Sequence, residues 1–575
     1  MSAAVKTQDS EQITLTYDLF ELPSAQHKAG LAGLLILIES LKAREKGPLP
    51  EVIFNGSRDV TIELTQQTLG VLLDDVYDAR WVEKHSPTKW QGNAPKRIDE
   101  IERSGENGKT KKEKRFVYDV FDPSGNVFAF WLQSGQQSPW LKLWREMLWS
   151  VLRAQPATRS EYEKRANGKI TDVTAKLWDS LGKAQKLRAK GKFKVESIAG
   201  SLFVGAQDAN AERVSFAGQI EHNLLLHFWQ LSTPLFVPQV VDIKAGKREY
   251  AGYLLVIPEV TDLRLFVADM IDYWKMLEPE VSGYLPRDAL IDLPEEGGLE
   301  FLYHLAHMHA EQLGIAYDVA AVELYHLQKK KGNNVRMLAA ERLLPNARVL
   351  AEYESIRGVR ANPYYKSLRI RNLLSGNSWH HGVDAIFAHY PWEYFVRTDK
   401  TPRLPFFGND VKRYFTRLNQ QLNLLKENNA MNETDSAIKD DVLAHRIYRL
   451  IGEYVNYKTD ARSSKKYKDL PCDTNGHRIY PKEFREAREK VTTDAFLAMR
   501  SRRAEDFVEY FTGTICSVPH FVQESEFIDL TQALIQTPDT VKNLSMLALS
   551  AYSYLPGKEG PTNSSTEPQD QGEAP

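Results

Sequence analysis

Cysteine is nearly missing from this chain: two residues among 575, Cys472 and Cys516. That excludes a disulfide framework, a cysteine zinc ribbon and an iron–sulfur cluster, and it suits a reducing cytoplasm. Long apolar runs are missing too. The longest, Ala29 to Ile38, has ten residues, where a membrane span needs about 20. Met1 to Gln12 is polar and lacks the basic-then-apolar order of a secretory signal. A soluble, cytoplasmic protein without membrane contact is expected. Net charge is also small, with 74 Lys and Arg against 76 Asp and Glu, so the total predicts no partner. An apolar share of 42% and a charged share of 26% exclude wholesale disorder, and the length suggests two to four domains.

Catalytic signatures are absent as well. The chain has no P-loop, GxGxxG, GxSxG, HExxH or EF-hand pattern. His304 and His307 in "YHLAHMHAEQ" (His309 follows) share a helix face at i,i+3 and could hold a metal. Packing histidines beside Glu311 are the plainer reading. "SWHHGVD" brings His380, His381 and Asp384 near His389, but adjacent His-Asp and further ligands are lacking. Cys472 reads as a loop residue. No catalytic residue, metal or cofactor is expected, which is the profile of a binding protein.

What is present is segregated charge. Lys84 to Arg115 holds ten basic residues against five acidic, and Arg153 to Lys194 holds 12 against 4. Lys329 to Arg371 holds 11 against 3, and Val442 to Arg503 holds 15 against 8. Such clusters suit a polyanion, because each neutralised phosphate releases counterions. Solvated helices also carry charge, so contact with nucleic acid is expected of at least two of the four.

The pattern predicts an α+β fold: a mixed N-terminal α/β region with an antiparallel sheet, then a C-terminal all-α bundle. Residues 1–400 form the first part, 401–410 a linker, 411–554 the bundle and 555–575 a disordered tail rich in Pro, Gly, Ser, Thr and acid. "TLTYDLF" at Thr14 to Phe20 alternates like a strand, and Ser24 to Arg44 reads as a helix whose Gly30 and Gly33 admit another backbone. Asp59 to Leu64 is strand-like, and Thr65 caps a helix to Asp78. Ser86 to Arg115 reads as an exposed loop. Phe116 to Phe121 and Val127 to Leu132 read as a hairpin around "DPSGN". Trp140 to Leu152 and Thr171 to Lys194 read as helices. Strands are expected at Ser201 to Gln207, Leu224 to Leu231, Leu235 to Ile243, Tyr250 to Val260 and Gly314 to Leu327, with a turn at Lys244 to Lys247. Asn333 to Glu354 and Pro363 to Leu374 are expected as helices. Val411 to Asn428, Ala437 to Thr459, Pro481 to Thr512, Glu524 to Gln536 and Asp539 to Tyr552 follow as the bundle.

Several segments have nucleic-acid chemistry. In "SPTKWQGNAPKRIDE", Gln91 and Asn93 can reach base edges, Lys89, Lys96 and Arg97 can hold phosphates, and Trp90 can stack or wedge. A surface loop with one anchoring Trp is the alternative. "GAQDANAERV" offers Gln207 and Asn210 as further readers. Backbone contact is expected of Lys183, Lys186, Arg188, Lys190 and Lys192 in "KAQKLRAKGKFK", and of Lys329, Lys330, Lys331 and Arg336 in "QKKKGNNVR". In the bundle the same role falls to Arg446, Arg449, Lys465, Lys466, Arg500, Arg502 and Arg503.

Three stretches carry a family resemblance: "DLFELPSAQHKAGLAGLLILIESLKAR"; "GSLFVGAQDANAERVSFAGQIEHNLLLHFWQLSTPLFVPQVVD" with "YAGYLLVIPEVTDL"; and "LRIRNLLSGNSWHHGVDAIFAHYPWEYFV". Together they resemble the large subunit of type I CRISPR Cascade complexes, the Cas-eight family, in its type I-B or MYXAN-subtype branch. The resemblance extends over about residues 14 to 552. It implies a non-catalytic large subunit whose N-terminal part sits at the guide RNA's 5′ handle. That part would read a short protospacer-adjacent motif on target double-stranded DNA, while guide pairing reads the sequence. The bundle would line the path of the unwound strands and stabilise the R-loop. Implied partners are the guide RNA, the duplex target, the backbone, handle-binding and small Cascade subunits, and a helicase-nuclease or transposition adaptor. The family's motif readers vary between branches, so no reader is carried over.

Complexes of this kind often need a small helical subunit. Lys426-Glu427 can be encoded AAGGAG, a ribosome-binding sequence, three codons before Met431. An internal start there would yield Met431 to Pro575, a 145-residue product. Two other readings compete with the whole: a His-dependent metal nuclease or hydrolase using His304, His307, His380 and Asp384, and an unrelated helical RNA-binding scaffold.

Overall fold

The computed structural model describes residues 12–90, 94–104, 110–152, 156–198, 202–204, 216–242, 247–309, 318–330, 335–357, 363–396, 408–427, 436–472, 478–518, 523–553 and 555. Its elements make an α+β chain in two units: residues 1–239 with 250–347, and residues 348–575 with 240–249.

The first unit begins with β1 (Ile13–Asp18), α1 (Ala25–Ala43), β2 (Glu51–Phe54) and β3 (Asp59–Leu64). The strands form an antiparallel sheet in the order β1-β3-β2. Alternation of buried and exposed residues along β1 gives that sheet one covered face. Helix α1 is apolar on nearly every side and buried along most of its length, and Ser24 Oγ caps it by accepting from the His27 backbone N–H. The expected close approach is there: a Cβ on Gly30 or Gly33 would collide with the backbone carbonyl of Leu225 or Phe228.

Helix α2 (Gln66–Val76) opens at Thr65, whose hydroxyl accepts from the Thr68 N–H while Thr68 returns a bond to the cap. Next come β4 (Ala79–Ser86), β5 (Arg97–Ser104) and β6 (Thr110–Pro123), an antiparallel sheet ordered β4-β6-β5. This corrects the exposed loop expected over Ser86 to Arg115. Charged residues face one another across the strands, as Glu100 lies opposite Lys114.

α3 (Asn126–Trp131) replaces the second strand of the hairpin expected at Val127 to Leu132. A six-residue apolar run fits a buried helical turn as well as a strand. α4 (Pro139–Met147) runs into a π-helical turn at Leu148–Leu152 and is followed by α5 (Pro156–Ala166) and α6 (Asp172–Arg188). β7 (Val195–Ser197) and β8 (Ala217–Gln219) form a short ribbon before α7 (Ile220–Leu225). α7 and a 3-10 turn at Trp229–Ser232 occupy the place of the strand expected over Leu224 to Leu231. That run is continuously buried, so it lacks the alternation that would separate strand from helix. Of the strand expected at Ser201 to Gln207, only residues 202–204 are described, and they make a turn.

The main sheet is built from β9 (Leu235–Asp242), β10 (Lys247–Tyr250) and β11 (Tyr253–Val260), then, after α8 (Leu263–Met276), β12 (Val281–Ser282), β13 (Leu285–Pro286), β14 (Leu290–Ile291) and α9 (Pro294–His309), from β15 (Val319–Lys329) and β16 (Val335–Leu343). Its order is β10-β9-β11-β15-β16, with β14 parallel beside β9, and β12 and β13 pair separately. Strand β16 corrects the helix expected over Asn333 to Glu354. "VRMLAAERL" has helix-forming residues, but it pairs with β15 as a largely exposed edge strand, so tertiary pairing overrides propensity. Helix begins only at Ala347.

The second unit is helical: α10 (Ala347–Ile356), α11 (Pro363–Ser375), α12 (Val383–His389), α13 (Gly408–Glu427), α14 (Ser436–Arg462), α15 (Lys482–Arg500), α16 (Ala504–Tyr510), α17 (Glu524–Gln536) and α18 (Pro538–Ser553). The single helix expected over Pro481 to Thr512 is broken between α15 and α16. One apolar core joins Phe387, Phe415, Ile447, Phe496 and Leu547. Residues 401–407 of the expected linker, Met431 and residues 556–575 of the expected tail lie outside the described residues. No described helix is long and apolar enough to cross a membrane.

Candidate nucleic-acid interface

In the first basic segment, Trp90 is anchored rather than projecting freely. Its indole stacks on Tyr118, with centroids 4.1 Å apart and planes 5° apart, and its backbone N–H donates to the Tyr118 hydroxyl at 2.8 Å. Lys89 beside it is exposed. Lys96 Nζ donates to Glu83 (3.0 Å) and Asp119 (2.9 Å). Arg97 grips Glu83 with both Nη atoms, at 2.7 and 2.6 Å, and reaches Asp99 through Nε at 3.0 Å. Arg97 and Lys96 together hold the Glu83 carboxyl down to about 2. These two cations are thus held in a carboxylate network on the sheet surface. Gln91 and Asn93, like Gln207 and Asn210, lie outside the described residues.

The second segment differs. Helix α6 buries Leu177, Trp178, Leu181 and Ala184. Lys183, Lys186 and Arg188 lie exposed on it, and Lys190 and Lys192 follow its end, also exposed. Among the described residues none of these five makes an ion pair, whereas Lys194 next in line pairs with Glu196 at 2.9 Å. Cations at a helix C-terminus also complement its dipole.

In the first unit, cations of three basic segments distant in sequence act on one another electrostatically. Partial burial lowers the ammonium pKa of Lys329, at the end of β15, and Arg159 of α5 and Lys84 of β4 lower it further. Arg159 lies over the Trp149 ring at 5.1 Å. Lys142 and Lys84 likewise act on Glu146, which burial raises. Like charges within electrostatic reach of one another raise the local potential for an anion. Arg159 and Lys84 were not singled out in sequence; only their membership of separate basic segments pointed to them. Lys330 and Arg336 are exposed nearby in the chain, and Lys331 lies outside the described residues.

In the bundle several expected contacts serve the fold. Arg446 pairs with Asp529 at 2.6 Å, and Arg449 stands 3.8 Å from Glu526. Arg500 donates to the Tyr390 carbonyl at 2.7 Å, and Arg502 stacks over Tyr510 at 4.4 Å. Lys465, Lys466 and Arg503 are exposed.

The histidines are occupied by packing. His304 Nε2 lies 3.3 Å from Glu300, and His307 Nδ1 lies 3.0 Å from the Tyr303 carbonyl with its ring against Tyr303. Burial lowers the pKa of His380 in the second unit. Among the described residues no group of three or more His, Cys, Asp or Glu could hold a metal.

An α+β chain with several cation clusters defines a class of large, charge-segregated binding proteins; the comparisons assign the family. Residues 49–315 match the family model described as the Type I-B CRISPR Cas8b N-terminal domain, and residues 319–552 match the Type I-B CRISPR Cas8b C-terminal domain. The chain therefore belongs to the Cas8b family, the large subunit of type I-B CRISPR Cascade. The matches agree with the type I-B branch expected from sequence. No curated protein matches the chain.

Proposed function

We propose that this Cas8b chain is a non-catalytic subunit that binds the guide RNA's 5′ handle and reads the protospacer-adjacent motif on duplex DNA. It would then aid unwinding, stabilise the R-loop and recruit a helicase-nuclease or transposition machinery. The observation that carries this reading is the electrostatic coupling of Lys84, Arg159 and Lys329 from three separate basic segments. The ion-pair-free row from Lys183 to Lys192 supports it, as a track for phosphates. Motif reading belongs to the Lys89–Asn93 segment on its Trp90–Tyr118 anchor, and to Gln207 and Asn210. Lys96 and Arg97 hold backbone only by exchanging their carboxylate partners for phosphates.

An internal start at Met431 supplies the small subunit in this account. Helices α14 to α18 make up most of such a product, and Tyr365, Phe387 and Phe415, which share their core, lie outside it. The product would therefore present an apolar face to a partner. Co-purification of the tagged chain with Cascade partners and guide RNA, then duplex selection on a randomised flanking motif, tests the proposal. Enrichment of one motif supports it, and guide-independent binding without preference refutes it.

A further inference from the structure

A second cation cluster lies in the helical unit. Helices α10, α11 and α13 enclose a cavity of about 190 Å³. Among the described residues five cations line it, Arg357, Lys366, Arg369, Arg413 and Arg417, with one carboxylate, Asp410. Arg369 is 5% exposed, so its charge has largely left water, which is costly unless a counter-charge is at hand. Arg369 stacks on Tyr414 at 4.3 Å, and its Nε and Nη2 make no hydrogen bond. Glu352 pairs with Nη2 at 3.6 Å, a long ion pair without a hydrogen bond, and Tyr365 hydrogen-bonds the same guanidinium. Arg413 and Arg417 are one helical turn apart on α13 and make no ion pair among the described residues. Asp410 is a carboxylate at neutral pH, although burial raises its carboxyl to about 6 against the opposing pull of Arg413 and Lys366, so it is one counter-charge among five cations.

We propose that this cavity is a phosphate-binding site, taking one tetrahedral oxyanion among the guanidinium groups of Arg369, Arg413 and Arg417 that line it. A planar guanidinium fork matches phosphate oxygens two at a time, which a lysine ammonium does not. The oxyanion is either a phosphate of a nucleic-acid strand or a free phosphate group. The site stands on the geometry of the second unit alone, without the motif-reading proposal.

Isothermal titration of the full chain with sulfate, whose charge is constant between pH 6 and 8, tests it without guide RNA or partner subunits. One saturable site is expected. Arg413→Gln with Arg417→Gln should weaken it about tenfold or more, since a charge-assisted bond contributes that much. Asp410→Asn should tighten it several-fold, a gain that misfolding does not produce. No saturable binding, or binding that neither substitution moves, overturns the proposal. Competition then separates the sources. Displacement of sulfate by a single-stranded deoxyoligonucleotide assigns the site to a strand phosphate. Displacement by inorganic phosphate alone assigns it to a free anion.

Discussion

The indole of Trp90 lies flat on the phenol ring of Tyr118, 4.1 Å between centroids. One face of the tryptophan is therefore spent on the protein, and the stack ties Trp90 to strand β6. Tyr118→Ala should cost about 1 kcal/mol of stability for the missing aromatic pair. It should also blur motif preference in duplex selection, while Tyr118→Phe keeps the stack. An unchanged motif profile in the alanine variant would remove this segment from the reading machinery.

Neutralising Lys186, Arg188, Lys190 and Lys192 together should weaken duplex binding on every sequence alike. The slope of log K against log salt should fall by up to about 3–4, near 0.9 for each phosphate no longer neutralised. Lys96→Gln should do far less, because that ammonium already bonds Glu83 and Asp119. Equal effects from the two would mean the carboxylate network opens on binding.

Close packing gives a matched pair of stability tests. Gly30→Ala puts a methyl group into the Leu225 backbone and should cost about 2–3 kcal/mol or more. Gly182→Ala, in the middle of α6 with no atom within 4 Å of a new Cβ, should gain about 0.5–1 kcal/mol. Thermal melts of the two variants should move in opposite directions.

Acid should weaken the fold through buried histidine. Burial, then His222, lowers the His27 pKa to about 4. Between its unfolded value near 6.5 and about 4, the unfolded chain binds a proton that the native chain refuses, so stability falls as pH falls through that window. The contribution is on the order of 3 kcal/mol at most. His27→Gln should flatten that limb in denaturant melts at pH 7.5 and 5; an unaltered pH dependence would contradict the assignment.

The readable parts of the sequence were those with an unambiguous period or cap. Thr65, Gly30 and Gly33 announced their roles because a cap and a close approach each need a particular residue type. The bundle was legible because its apolar positions recur at helical spacing. Leu224 to Leu231 was not, since its two polar residues, His227 and Gln230, are buried with the rest and mark no exposed face. The β4-β6-β5 sheet was hidden because its stabilising pairs, such as Arg97 with Glu83, are charged residues far apart in sequence. For the same reason four basic segments could be counted, but not the electrostatic coupling of Lys84, Arg159 and Lys329. The cavity around Arg369 needed three helices to be placed before its cations became neighbours.

The most direct measurement is duplex selection by the reconstituted guide-bound complex, run with the native chain and with Lys84, Arg159 and Lys329 changed to Gln. The account predicts one enriched flanking motif for the native complex and a loss of affinity of about tenfold or more in the triple variant, with the same motif preferred. A triple variant that binds as tightly as the native complex, with an unchanged salt slope, would contradict it.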